Sequence, residues 1–191
     1  MSTAFRFTSK DLKRFPKFEG VRYEIINGEL HVSTAPHWHH QYAADGILHA
    51  LRSSRDLMAE GLTVTAPGLV FADDQDVIPD LVWISHQRLA RGQDAAGHFT
   101  IAPELVVEVL SPGAQNEHRD REIKLGLYTR QGVAEYWIVD WRGRRVEVYR
   151  RLGEELSLVA TLTGDAVLTS PLLPGFSCPI SNLWVPSPPG S

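Results

Sequence analysis

The stretch from Pro103 to Asp140, PELVVEVLSPGAQNEHRDREIKLGLYTRQGVAEYWIVD, limits the possible folds of this chain more than any other. It opens on an apolar run, Leu105 to Leu110, and continues into a segment where Ile123, Leu127 and Tyr128 recur at helical spacing until Gly132. It closes on a second apolar run, AEYWIVD. Strand, helix, strand in that order predicts a parallel pair joined by a crossover, and such crossovers are right-handed almost without exception. The first run is apolar at nearly every position, as expected of a strand buried on both faces of a sheet. One residue breaks the pattern. Glu108 sits inside that run, and a buried carboxylate must be neutralised or met by a cation.

The rest of the chain builds around this unit. RYEIINGELHVS reads as a β-hairpin about Asn27-Gly28, the pair favoured where both turn residues need positive φ. HHQYAADGILHALRSSRDLMAEG carries a helical apolar stripe and predicts a helix from about His39 to Ala59, weakened at Gly46 and ended at Gly61 in a C′ position. LTVTAPGLVFA and IPDLVWIS predict two strands separated by the turn DDQD. WRGRRVEVYRR predicts a further strand after a turn at Arg142-Gly143; its arginines, 142, 144, 145, 150 and 151, read as a solvated, edge-protecting set rather than a phosphate track. Short β segments around Gly164-Asp165 complete the reading. The expected class is α/β: a mixed sheet flanked by two main helices, with an N-terminal hairpin and a C-terminal antiparallel extension. At 191 residues with 43% hydrophobic content, one domain over residues 1–185 is expected, followed by a disordered Pro/Ser/Gly-rich tail, 186–191.

Charge and cysteine content exclude several classes. A formal net charge of −4 lacks the basic surplus usual in nucleic-acid binders, so an anionic partner must be met locally. Cys178 is the sole cysteine, which excludes an internal disulfide or a cysteine-cluster metal site and fits a reducing, cytoplasmic setting. No apolar run approaches the roughly 18 residues that span a bilayer, so no membrane partner is expected.

The chemistry centres on carboxylates. Asp80 opens one predicted strand and Glu108 lies in the next, so the two acids can stand side by side as a hard-oxygen site for Mg²⁺, with Mn²⁺ as a substitute. Alternation places Glu108 with Val106 and Leu110 on one strand face, near the strand's carboxyl end. Asp120, Lys124 and Tyr128 follow at i, i+4 and i+8, one side of the next helix, so Lys124 can balance charge that develops beside the two acids. HWHH, with His37, His39 and His40, lacks a zinc-ligand spacing. Tyr136, Trp137 and Trp141 read as core and sheet-edge residues.

Together, YEIINGEL, the histidine-headed helix, IPDLVWIS, ELVVEVLSP, the helix with Asp120, Lys124 and Tyr128, and GVAEYWIVD resemble the Uma-two family of restriction-endonuclease-like proteins, within the PD-(D/E)XK nuclease superfamily. The resemblance spans about Tyr23 to Leu183. It implies a metal-dependent nuclease core with Asp80 as the motif aspartate and Glu108 as the second acid. It also implies auxiliary roles for His40, which heads the helix, and for an acid of the hairpin, Glu29 being favoured over Glu24. The sequence departs from the superfamily pattern at Leu110, where a lysine is usual, and the resemblance implies that Lys124 takes over that role. The function expected is DNA phosphodiester hydrolysis, with DNA and a second copy of the chain as partners. A non-catalytic module that binds nucleic acid or protein through the same cleft is the second reading, and a structural dimerisation unit the third.

Overall fold

The computed structural model describes residues 5–186. After a short helix, α1 (Ser9–Leu12), strands β1 (Arg22–Ile26) and β2 (Glu29–Ser33) form the hairpin, with Asn27 at φ 53° and Gly28 at φ 77°. Both turn residues are left-handed, as a type I′ turn requires. There follow α2 (Trp38–Ser53), α3 (Arg55–Glu60), β3 (Gly61–Thr65), β4 (Leu69–Ala72), β5 (Gln75–Val77), β6 (Leu81–Ser85) and α4 (His86–Leu89). Strand β7 (Leu105–Val109) leads through α5 (Ala114–His118) and a π-helical turn (Arg119–Ile123) into α6 (Lys124–Gln131), which Gly132 closes at φ 82°. The chain ends in β8 (Glu135–Asp140), β9 (Arg145–Leu152), β10 (Glu155–Thr163), β11 (Val167–Leu168), β12 (Cys178–Pro179) and a 3₁₀ turn (Ile180–Leu183). The expected tail lies, from residue 187 onward, outside the described residues.

Six strands form the main sheet in the order β10-β9-β8-β7-β6-β3. Only β7 and β8 run parallel, Leu105 opposite Glu135, as the strand-helix-strand segment predicts. A smaller antiparallel sheet, β2-β1-β5-β4, contains the hairpin. The period of two in β7 divides the core. Leu105, Val107 and Val109 pack with α2 and the C-terminal segments, whereas Val106 and Leu110 pack with Ile26, Leu127 and Tyr128, from the small sheet and α6. Glu108 therefore faces the side where α6 and the small sheet close over the main sheet.

Four local expectations are corrected. The helix drawn to Ala59 is two helices, broken at Ser54 (φ −85°, ψ 113°), and Gly61 is extended, beginning β3 rather than capping a helix. Its lack of a side chain is required by space: a Cβ there would lie 2.4 Å from the Ile84 carbonyl oxygen. Gly61→Ala is therefore expected to cost about 1–3 kcal/mol of stability in urea unfolding, and an unchanged midpoint would refute that contact. Gly46 is a packing device: a Cβ would approach Leu183 Cδ2 to 2.9 Å, so the glycine lets the C-terminal turn lie on α2. The two strands drawn around DDQD are four: Ala66 at φ 47° and the following Pro67-Gly68 split the first run into β3 and β4, and Gln75 and Asp76, drawn in the turn, open β5, which pairs with β4 and β1. Lastly, β9 is interior, paired to β8 and β10, and its arginines are spent internally. Arg145 pairs with Asp140 at 3.1 Å and Arg150 with Glu135 at 3.0 Å, while Arg151 donates to the Thr129 and Val133 carbonyls at the end of α6.

Candidate active site

The side chains that converge do so from three elements. Extending the antiparallel β6–β7 register, in which Leu81 faces Val107, by one residue sets Asp80 opposite Glu108. Asp80 Oδ2 accepts the Val109 N–H at 2.9 Å and lies 3.2 Å from His40 Nε2, while Arg22 approaches Oδ1 at 3.4 Å. Glu108, only 3% exposed, accepts at Oε1 from Lys124 Nζ and the Tyr128 hydroxyl, each at 2.9 Å. Lys124 also lies 2.9 Å from Glu24 Oε1 and 3.9 Å from Asp120. Glu24 in turn accepts the Ile78 N–H at 2.8 Å, and Arg119 donates to Asp120 at 3.0 Å. A small cleft is lined by Arg22, Glu24, His40, Asp80, Glu108 and Lys124 among others.

Three buried acids, Glu24, Glu108 and Asp120, thus face Lys124 and Arg119, with Asp80 beside them nearer the surface, the buried His40 against Asp80, and Arg22 at the rim. Their pKa values separate according to their donors. Burial alone raises Glu24, yet Lys124, the Ile78 N–H and Arg119 together hold it below the usual carboxylate range. Burial likewise raises Asp80, and His40 with the Val109 N–H and Lys124 outweighs it. Glu108 has no backbone donor and faces three other carboxylates. Burial, with Asp80, Asp120 and Glu24, pushes it up to about 8 in spite of Lys124. Asp120 is raised too, burial outweighing Lys124 and Arg119. Burial lowers Lys124, but Glu108, Glu24 and Asp120 more than offset it, so the ammonium stays charged.

Asp80, Glu108, Lys124, Asp120, Tyr128 and His40, all read from the sequence, are brought together here. Glu29 is not. It is exposed beside the turn on β2, the edge strand of the small sheet, whereas Glu24 lies on β1, inside that sheet and against α6. The hairpin acid in the cluster is therefore Glu24, and the preference for Glu29 is corrected. Glu24 carried a sequence signal, since it abuts Ile25 and Ile26 much as Glu108 abuts Val107 and Val109. Arg119 was not singled out from the sequence. It lies off the 120-124-128 row of an ideal helix, and both Arg119 and Asp120 are buried in the π-helical turn. Such insertions recur at functional sites. Leu110 is in the core, leaving Lys124 as the lysine at the acids.

The residues fit a divalent ion of the Mg²⁺ kind. Asp80 and Glu108 line one cleft, Glu108 Oε2 accepts no hydrogen bond among the described residues, and Asp80 Oδ1 has a single long one. Among the described residues no group of three or more His, Cys, Asp or Glu side chains is placed to hold a metal ion. Two carboxylates are the number that Mg²⁺ usually takes from a protein while keeping several waters.

The chain matches the profile of Uma2, described as "Putative restriction endonuclease", over residues 9–181. A solved structure, described as a putative nuclease belonging to DUF820 from Anabaena variabilis ATCC 29413, superposes with a TM-score of 0.73 at 19% identity, covering 93% of this chain and 97% of that one. The likeness establishes the nuclease-like α/β fold. No curated protein matches significantly. No helix among the described residues is long and apolar enough to cross a membrane.

Proposed function

The chain belongs to the Uma2 family, and from that premise we propose that it is a divalent-metal-dependent endonuclease that hydrolyses DNA phosphodiester bonds. The observation that carries this reading is the convergence of Asp80, Glu108 and Lys124 on one cleft. Asp80 and Glu108 are the residues that would hold Mg²⁺ or Mn²⁺. When bound, the ion supplies a Lewis acid and a more acidic water.

The remaining roles belong to the chain. Val109 N–H and His40 hold the Asp80 carboxylate in place, and Tyr128 with Lys124 does the same for Glu108. Lys124 donates to Glu108 and lies 2.9 Å from Glu24, and its ammonium is the cation that would answer negative charge growing on a phosphoryl oxygen in the cleft. Glu24 keeps the lysine charged and aimed. Arg22, at the rim, offers a first contact for the phosphate.

A nicking assay on supercoiled plasmid with Mg²⁺ or Mn²⁺ tests this. Wild-type protein is expected to nick, and Asp80→Ala to be slower by at least about 10²-fold, the scale of losing one preorganised electrostatic partner. Equal nicking by both proteins would mark a contaminating nuclease and sink the assignment. Retained DNA binding with no nicking under either metal would favour the non-catalytic module.

A further inference from the structure

Arg119 lines the cleft, yet among the described residues it bonds to neither Asp80 nor Glu108. The backbone departs from the α-helix to put it there. In an α-helix, at about 100° per residue, position 119 would stand about 140° around the axis from Lys124, on the far side. The π-helical turn changes that phase. Lys124 N–H donates to the Arg119 carbonyl five residues back, which sets Arg119 one wide turn beneath the lysine and brings both cations to the same cleft. The sheet anchors this turn, for the buried Tyr136 hydroxyl donates to the Asp120 carbonyl at 2.8 Å.

Within the turn the two charged side chains take different places. Asp120 is 1% exposed and is not among the residues that line the cleft, whereas Arg119 is, so the carboxylate stands behind the guanidinium. Arg119 Nε donates to Asp120 at 3.0 Å, and this is its one short bond. Nη2 reaches the second oxygen of Asp120 at 3.5 Å, and Nη1 reaches Asn116 at 3.4 Å. A guanidinium carries five N–H donors in a rigid planar fork. One edge of this fork is therefore fixed on a buried acid, while the end that carries Nη1 has only a long contact.

A carboxylate behind an arginine, with the arginine facing a cleft, is a preorganised anion binder, and a planar fork matches the oxygens of a phosphate better than an ammonium does. Lys124 is drawn between Glu24 and Glu108, at 2.9 Å from each. We propose that Arg119 grips the DNA phosphate in the cleft, donating to its non-bridging oxygens with the part of the fork that Asp120 does not hold, and that Asp120 is its positioning residue. The proposal deepens the endonuclease reading of this cleft and rests on it for the substrate.

Fluorescence anisotropy with a labelled duplex of about 20 base pairs, in EDTA at pH 7 so that nothing is cleaved, tests the contact. Each phosphate neutralised adds about 0.9 to the slope of log Kd against log salt, a quantity that a merely structural ion pair does not move. The variant Arg119→Gln/Asp120→Asn exchanges the ion pair for an amide pair and strands no charge. It is expected to bind about tenfold more weakly or worse and to lose about 0.9 from the slope. Arg119→Lys keeps the charge without the fork, so it should retain the slope and bind several-fold more weakly. An unchanged slope in the double variant, wild-type affinity in Arg119→Lys, or no binding by the wild type would each overturn the contact. The expected slope loss in a protein that nicks plasmid under neither metal would keep the contact and sink the endonuclease reading instead.

Discussion

Lys124→Met is expected to lower stability by about 3–5 kcal/mol at neutral pH and to cut nicking by about 10²–10³-fold. Lys124 is 1% exposed and its ammonium lies 2.9 Å from both Glu24 and Glu108. Methionine fills much of the same space without the charge, so the loss is electrostatic and not a cavity effect. Removing one partner of a buried ionic cluster leaves the others uncompensated, which costs far more than the intact pair contributes. The double variant Lys124→Met/Glu108→Gln removes one of the stranded acids and should recover part of the stability but none of the nicking. Urea unfolding at pH 7.5 and the plasmid assay read these two effects separately. Wild-type stability and nicking in Lys124→Met would make the ammonium a bystander.

The second large effect is on pH dependence in the absence of metal. Glu108 has an ordinary pKa of 4.5 in the unfolded chain and about 8 in the fold. Between those values the folded protein keeps a proton that the unfolded chain has lost, so stability falls as pH rises, by up to about 1.4 kcal/mol per unit. The cost is absent below 4.5 and complete above about 8. Glu24 and Asp80 are shifted the other way, so their contribution is present at neutral pH and is lost as pH falls through their lowered values. In EDTA the melting temperature should peak near about pH 4.5–5 and decline toward about pH 8. Glu108→Gln should remove most of the decline, leaving a smaller slope from Asp120, whose pKa is also raised. Added Mg²⁺ should raise the wild-type melting temperature most at high pH, where the ion no longer competes with the proton, and should do little for the variant. A flat wild-type profile in EDTA would show that Glu108 carries no such strain.

Local patterns made much of this site legible. Alternation along LVVEVL assigned Glu108 to the same face as Val106 and Leu110, and helical phase set Asp120, Lys124 and Tyr128 in one row. The first holds in the fold because it depends only on the repeat of the backbone, and the second holds although a π-helical turn separates Asp120 from Lys124, which lie 3.9 Å apart. The hairpin was legible for the same reason, since Asn27-Gly28 is a local turn preference. Turn chemistry alone misled at Gly61, where backbone crowding by Ile84, and not a helix cap, requires the glycine.

By itself, then, the sequence determined the strand-helix-strand core, the face on which Glu108 stands and its need for a cation. Tertiary structure decided which cation and which companions. Docking of the small sheet against α6 brought Glu24 and not Glu29 to Lys124, and the π-helical turn accommodated Arg119 beside Asp120. The physical reason is range. A periodicity or a turn preference is settled within a few residues of backbone, whereas the pairing of charges from β1, β7 and α6 is settled only when surfaces far apart in the chain bury each other and exclude the water between them.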